Sequence, residues 1–71
     1  MSVCIQCAWK NGVSEYKKVK LLTDAKQEAI KTGKYYCIVF DIEDESFEIM
    51  EEQEAKDHGL QESIHTTISP Y

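Results

Sequence analysis

KYYCIVFDI, residues 34–42, is apolar at almost every position and rich in aromatic and β-branched side chains. That composition fits a pleated backbone, and near-continuous apolarity predicts a central strand covered on both faces. Glu43-Asp44-Glu45-Ser46 follows as a turn, and Phe47-Glu48-Ile49-Met50-Glu51 as the returning strand. A turn centred on Asp44-Glu45 pairs Ile42 with Phe47 and Phe40 with Ile49 on one face. The same register sets Val39 beside Met50 on the other.

Upstream, Asp24 to Thr32 reads as a helix. Thr23 or Asp24 can cap its free N–H groups, and Asp24 with Gln27 has capping-box spacing. Leu22, Ala25, Ala29 and Ile30 form an apolar stripe of helical period. Gly33 is placed to stop the helix in the left-handed conformation. Further upstream, Val3 to Trp9 alternates, with Val3, Ile5, Cys7 and Trp9 on one side, and reads as a strand. Asn11-Gly12 is a strong hairpin signal, so Val13 to Leu21 becomes its partner. A two-residue turn pairs Cys7 with Tyr16, and a three-residue turn pairs Trp9 with Val13.

Downstream, Glu52 to His58 suits a short helix closed by Gly59. In the last stretch Ile64, Thr66 and Ile68 alternate as an edge strand does, and Pro70 limits its length. A loose tail is the other reading of that end. The expectation is a small single α+β domain of β-β-α-β-β order: a mostly antiparallel four-stranded sheet with one helix on one face. Residues 1–59 form the compact unit and residues 60–71 a C-terminal segment. One helix cannot cover both faces of four strands. Tyr35, Cys37, Val39 and Met50 therefore need cover from residues 60–71, a second copy or a partner.

Seventy-one residues allow one domain, worth roughly 4–10 kcal/mol of folding stability at ~0.05–0.15 kcal/mol per residue. A deep substrate cavity does not fit so small a core. A hydrophobic content of 42% supports a folded chain. No apolar run approaches the ~18–20 residues of a membrane helix, and the start has neither the basic nor the long apolar part of a signal peptide. The cytosol is the expected compartment.

The net charge of −5 conceals an uneven layout. Lysines 10, 17, 18, 20, 26, 31 and 34 dominate the first forty residues. Ten of the thirteen acids fall after them, facing Lys56 alone. Asp41, Glu43, Asp44, Glu45, Glu48, Glu51, Glu52, Glu54 and Asp57 form one acidic strip, which repels nucleic-acid phosphates and attracts basic protein surfaces.

Catalytic and metal-binding patterns fare poorly. Cys4-x-x-Cys7 with Cys37 and His58 or His65 counts as four zinc ligands. On an extended strand, however, the two sulfurs point to opposite faces, with Cα atoms about 10 Å apart. That excludes an intrastrand disulfide as well. The three thiols then read as small packing residues. Cys37 in mid-strand makes a poor nucleophile. The segment from Asp41 to Glu45 lacks the glycine of a calcium loop, and no phosphate-binding or hydrolase motif occurs. Lysines 17, 18 and 20 near Tyr16, with Tyr35 and Tyr36, resemble a single-strand-binding face. Against that stand the negative total charge and the lack of arginine.

The resulting expectation is a non-enzymatic module or inhibitor without metal or cofactor. Its 41–57 strip engages a basic site on a partner protein, one that itself binds nucleic acid being a suitable target. The apolar sheet side serves as anchor. Inhibitors encoded by phages and mobile elements share this size and charge. The alternatives are a metal- or redox-linked module using Cys4, Cys7 and Cys37, and a structural homodimer through the second sheet face.

Overall fold

A computed structural model describes residues 4–71. The order is α1 (Ile5–Gly12), α2 (Glu15–Thr32), β1 (Tyr36–Asp41), β2 (Ser46–Glu51), α3 (Glu52–Asp57), a single 3₁₀ turn (Gln61–Ser63) and β3 (Ile64–Ile68). The three strands form one antiparallel sheet in the order β2-β1-β3. The chain is α+β, but the β-β-α-β-β order and the four-stranded sheet with one helix are overturned.

The correction lies in the first third. Val3, the first residue of the expected opening strand, lies outside the described residues. Ile5 to Trp9 are helical, and Asn11-Gly12 finish α1 instead of turning a hairpin. Ile5, Cys7 and Trp9 fit a period of two, yet Ile5, Ala8 and Trp9 fit a helix equally well, and these last three pack on the core. The expected second strand is the first half of α2. Ser14 caps that helix, its hydroxyl accepting from Lys17 N–H at 3.2 Å. From there Lys18, Leu21, Ala25 and Ala29, all among the less exposed positions, recur at three- and four-residue spacing, a helical period that neither hairpin register accommodates.

Thr23 and Asp24, read as caps, lie in mid-helix, where Asp24 pairs with Lys20 at 3.2 Å. Of the apolar stripe read on this helix, Ala25 and Ala29 are fully buried, whereas Leu22 and Ile30 face outward at 40% and 59% exposure. The helix does end at Gly33, whose φ of 71° lets its N–H reach Ala29 O at 2.8 Å.

β1 is the central strand, and Cys37, Ile38, Val39 and Phe40 are all buried. Ile38 and Phe40 meet Phe47, Ile49 and Ile68 under the two long helices. On the opposite face, Cys37, Val39 and Met50 pack against Ala55, Leu60 and Ile64. The chain thus buries Cys37 and Val39 by itself, while Tyr35 stays 45% exposed. Lys26 Nζ donates to Ser69 O and Tyr71 O at 2.7 and 2.8 Å, tying the end of the chain to α2.

The β1–β2 register pairs Phe40 with Phe47, Ile38 with Ile49 and Val39 with Glu48, two residues away from the expected one. The cause is a four-residue connection, Ile42 to Glu45. There the Asp41 carboxylate accepts from Glu43 N–H at 2.9 Å and Asp44 N–H at 3.4 Å, and Glu45 adopts a φ of 52°. A shift of two preserves the parity of the pleat, so every side chain keeps its face. Ile42, however, is released from the sheet and left 60% exposed.

Candidate functional site

The sharp connection after β1 shapes the acidic surface. Asp41 stands at the end of β1 and Glu48 on β2, on the same face of the sheet, and the turn folds Asp44 back toward both. A carboxylate oxygen from each lies within 4.8 Å of the others. At that distance two such charges repel by about 1 kcal/mol even in water. The backbone donors to Asp41 hold the cluster together. Glu43 and Glu45 complete the exposed tip.

Asp41, Glu43 and Glu48 line an open cleft of about 270 Å³ that also takes in Val39, Met50 and Leu60. A lysine or arginine side chain has the matching form, an aliphatic stem and a charged head. Three oxygen donors are also the kind a hard cation takes. Nothing else at this exposed cluster points to an ion, and its chemistry is that of a negative field.

The other acids lie elsewhere. Glu51 ends β2 and pairs with Lys34 at 3.6 Å; Glu52 opens α3 and pairs with Lys56 at 3.3 Å. Asp57 accepts from Gln53 Nε2 at 3.1 Å, and Glu54 is exposed on the same helix. Glu48 and Glu51 are three strand steps apart, about 10 Å, and on opposite faces of the sheet. The strip continuous in sequence is therefore divided between the hairpin end and the start of α3. Among the described residues, no ion pair engages Asp41, Glu43, Asp44, Glu45 or Glu48.

The cysteines depart from the sequence reading in another way. Cys37 is buried in the sheet, as a packing residue should be, but Cys4 and Cys7 are both exposed. Cys4 is the N-cap of α1, and its sulfur accepts from Cys7 N–H at 3.2 Å. The extended geometry that set the two sulfurs on opposite faces does not exist. The missed signal was a Cys-x-x-Cys standing at the start of a helical pattern.

His65 is the remaining titratable group of note. The β1–β3 register slips by one between Ile38 and Val39, and His65 is the extra residue of this bulge. Its ring stacks on Trp9 at 4.3 Å and meets the edge of Phe47 at 5.8 Å. Nδ1 is out of solvent with no hydrogen-bond partner among the described residues. Desolvation holds its pKa below the ordinary histidine value. The unfolded chain then takes up a proton at His65 more readily than the folded chain does. The stability from this site is complete above pH ~6.5 and falls as the pH drops through that value. We expect the melting temperature to fall between pH 7.5 and 5.5, and the change to flatten in His65→Phe. A rise on acidification would mean that attraction of the imidazolium to the Trp9 face outweighs desolvation.

No family model matches this chain, nor does any curated protein or solved structure.

Proposed function

We propose that the chain is a non-enzymatic protein-binding module whose acidic hairpin end engages a basic side chain on a partner protein. The observation that carries this reading is the convergence of Asp41, Asp44 and Glu48 beside an apolar-floored cleft that Asp41 and Glu48 line, none of the three being in an ion pair among the described residues. Carboxylates held together at a mutual cost have most to gain from an incoming cation. The apolar stem of that cation covers Met50 and Leu60, while the rim supplies the charge. The cleft lies on the second sheet face, so Met50 and Leu60 supply the apolar anchor there.

The test is capture from a host lysate at low salt, followed by association kinetics with the purified partner. The association rate should fall steeply with ionic strength, since charge steering is screened over a Debye length. A rate indifferent to salt would remove the electrostatic basis of the proposal.

A further inference from the structure

The dithiol at the start of α1 is not used by the reading above. Residues i and i+3 across the first turn of a helix have Cα atoms about 5–6 Å apart, within the range that a disulfide spans. The Cys4 sulfur already leans over that turn, at 3.2 Å from Cys7 N–H. Ile5, Ala8 and Trp9 pack α1 onto the core, which leaves the two cysteines exposed to an incoming molecule. As a cap, sulfur is a weak acceptor, and serine would serve better. As a pair, the two thiols have the spacing of a disulfide couple.

We propose that Cys4 and Cys7 form a redox-active dithiol that exchanges with disulfides of other molecules, with Cys4 as the attacking sulfur and Cys7 as the resolving one. The order follows from the local hydrogen bonds. The Cys7 thiol and then the Cys7 N–H donate to the Cys4 sulfur, which holds the Cys4 thiol below its ordinary value. The same thiol–thiol bond pushes Cys7 up. The sulfur at the helix N-terminus is thus the better thiolate.

In the exchange, the Cys4 thiolate attacks one sulfur of a disulfide RSSR, forms a Cys4–S–S–R bond and expels RS⁻. Cys7 gives its proton to the departing thiolate and attacks Cys4 Sγ. The mixed disulfide breaks and a second RS⁻ leaves, taking up the proton that Cys4 gave to solvent. Two cysteine thiols are oxidised by two electrons to one disulfide, and RSSR is reduced to two thiols. Cys37, in the core, takes no part.

The test equilibrates the whole chain with reduced and oxidised glutathione at ratios from fully reducing to fully oxidising. Products are mapped by tandem mass spectrometry after an acid quench. The expected result is an internal Cys4–Cys7 bridge with Cys37 still reduced. Cys7→Ser should accumulate glutathione on Cys4, several-fold faster at pH 7 than Cys4→Ser accumulates it on Cys7. A parallel arm offers insulin as a protein disulfide, and the ratio of the two rates shows which source reacts better. The proposal is overturned if the thiols stay reduced throughout, if each takes up glutathione without bridging, or if Cys7 proves the faster sulfur. The bridge is read on the unmutated chain, so a variant that fails to fold does not spare the proposal.

Discussion

Phe47→Ala should cost about 3–5 kcal/mol, the usual penalty for emptying an aromatic site in a packed core. The ring is 6% exposed. It meets Trp9 edge-on at 5.0 Å, Phe40 at 4.9 Å and His65 at 5.8 Å. It therefore holds α1, β1, β2 and the β3 bulge to one another, and no single neighbour can collapse into the space it leaves. Against roughly 4–10 kcal/mol for the whole domain, the loss lowers the melting temperature by ~12–40 °C, at ~4–8 °C per kcal/mol. Thermal denaturation followed by far-ultraviolet circular dichroism reads it directly. Ile42→Ala is the partner experiment. Side by side in sequence-based pairing, Ile42 and Phe47 ought to be equally costly. With the four-residue connection, Ile42 is exposed and its loss should stay within about 0.5 kcal/mol. Equal costs for the two substitutions would restore the shorter turn.

Replacing Glu43, Asp44 and Glu45 together by lysine should slow association with the natural partner by ~10–10³-fold at low salt and remove most of its salt dependence. All three side chains are exposed, and none is in an ion pair among the described residues. Stability should accordingly change by less than about 0.5 kcal/mol. The comparison that gives this result meaning is Glu54→Lys with Asp57→Lys on α3. Neither residue belongs to the carboxylate cluster or lines the cleft, and reversal there should leave the rate within about twofold. Stopped-flow rates across a salt series decide among the outcomes. Unchanged kinetics in the hairpin variant would end the steering proposal. An equal effect from the α3 variant would show the nine acids acting as one surface after all.

Several elements were legible in the residues themselves because their cause is local. Consecutive apolar residues from Tyr36 to Phe40 need cover on both faces wherever they are placed, and β1 is the central strand. Gly33 stops a helix because a positive φ is inexpensive only there. The parity of β1 against β2 is set by alternation, which a two-residue change of turn cannot disturb. The turn length itself was not legible, because it depends on the Asp41 carboxylate reaching two backbone N–H groups.

The first third of the chain was decided by packing. Ile5 to Trp9 satisfies both a strand and a helical template, so local pattern carries no preference. A three-stranded sheet whose inner face shows Ile38, Phe40, Phe47 and Ile49 needs an apolar layer, which α1 and α2 together supply through Ile5, Trp9, Leu21 and Ala25. The same event determines the sites. With residues 5–12 helical and Cys4 as their N-cap, Cys4 and Cys7 change from opposed packing residues into neighbours at a helix start. The sequence by itself determined how much negative charge lies between Asp41 and Asp57. Only the tertiary structure divided it, because a strand carries its two ends apart while a tight turn brings Asp41, Asp44 and Glu48 together.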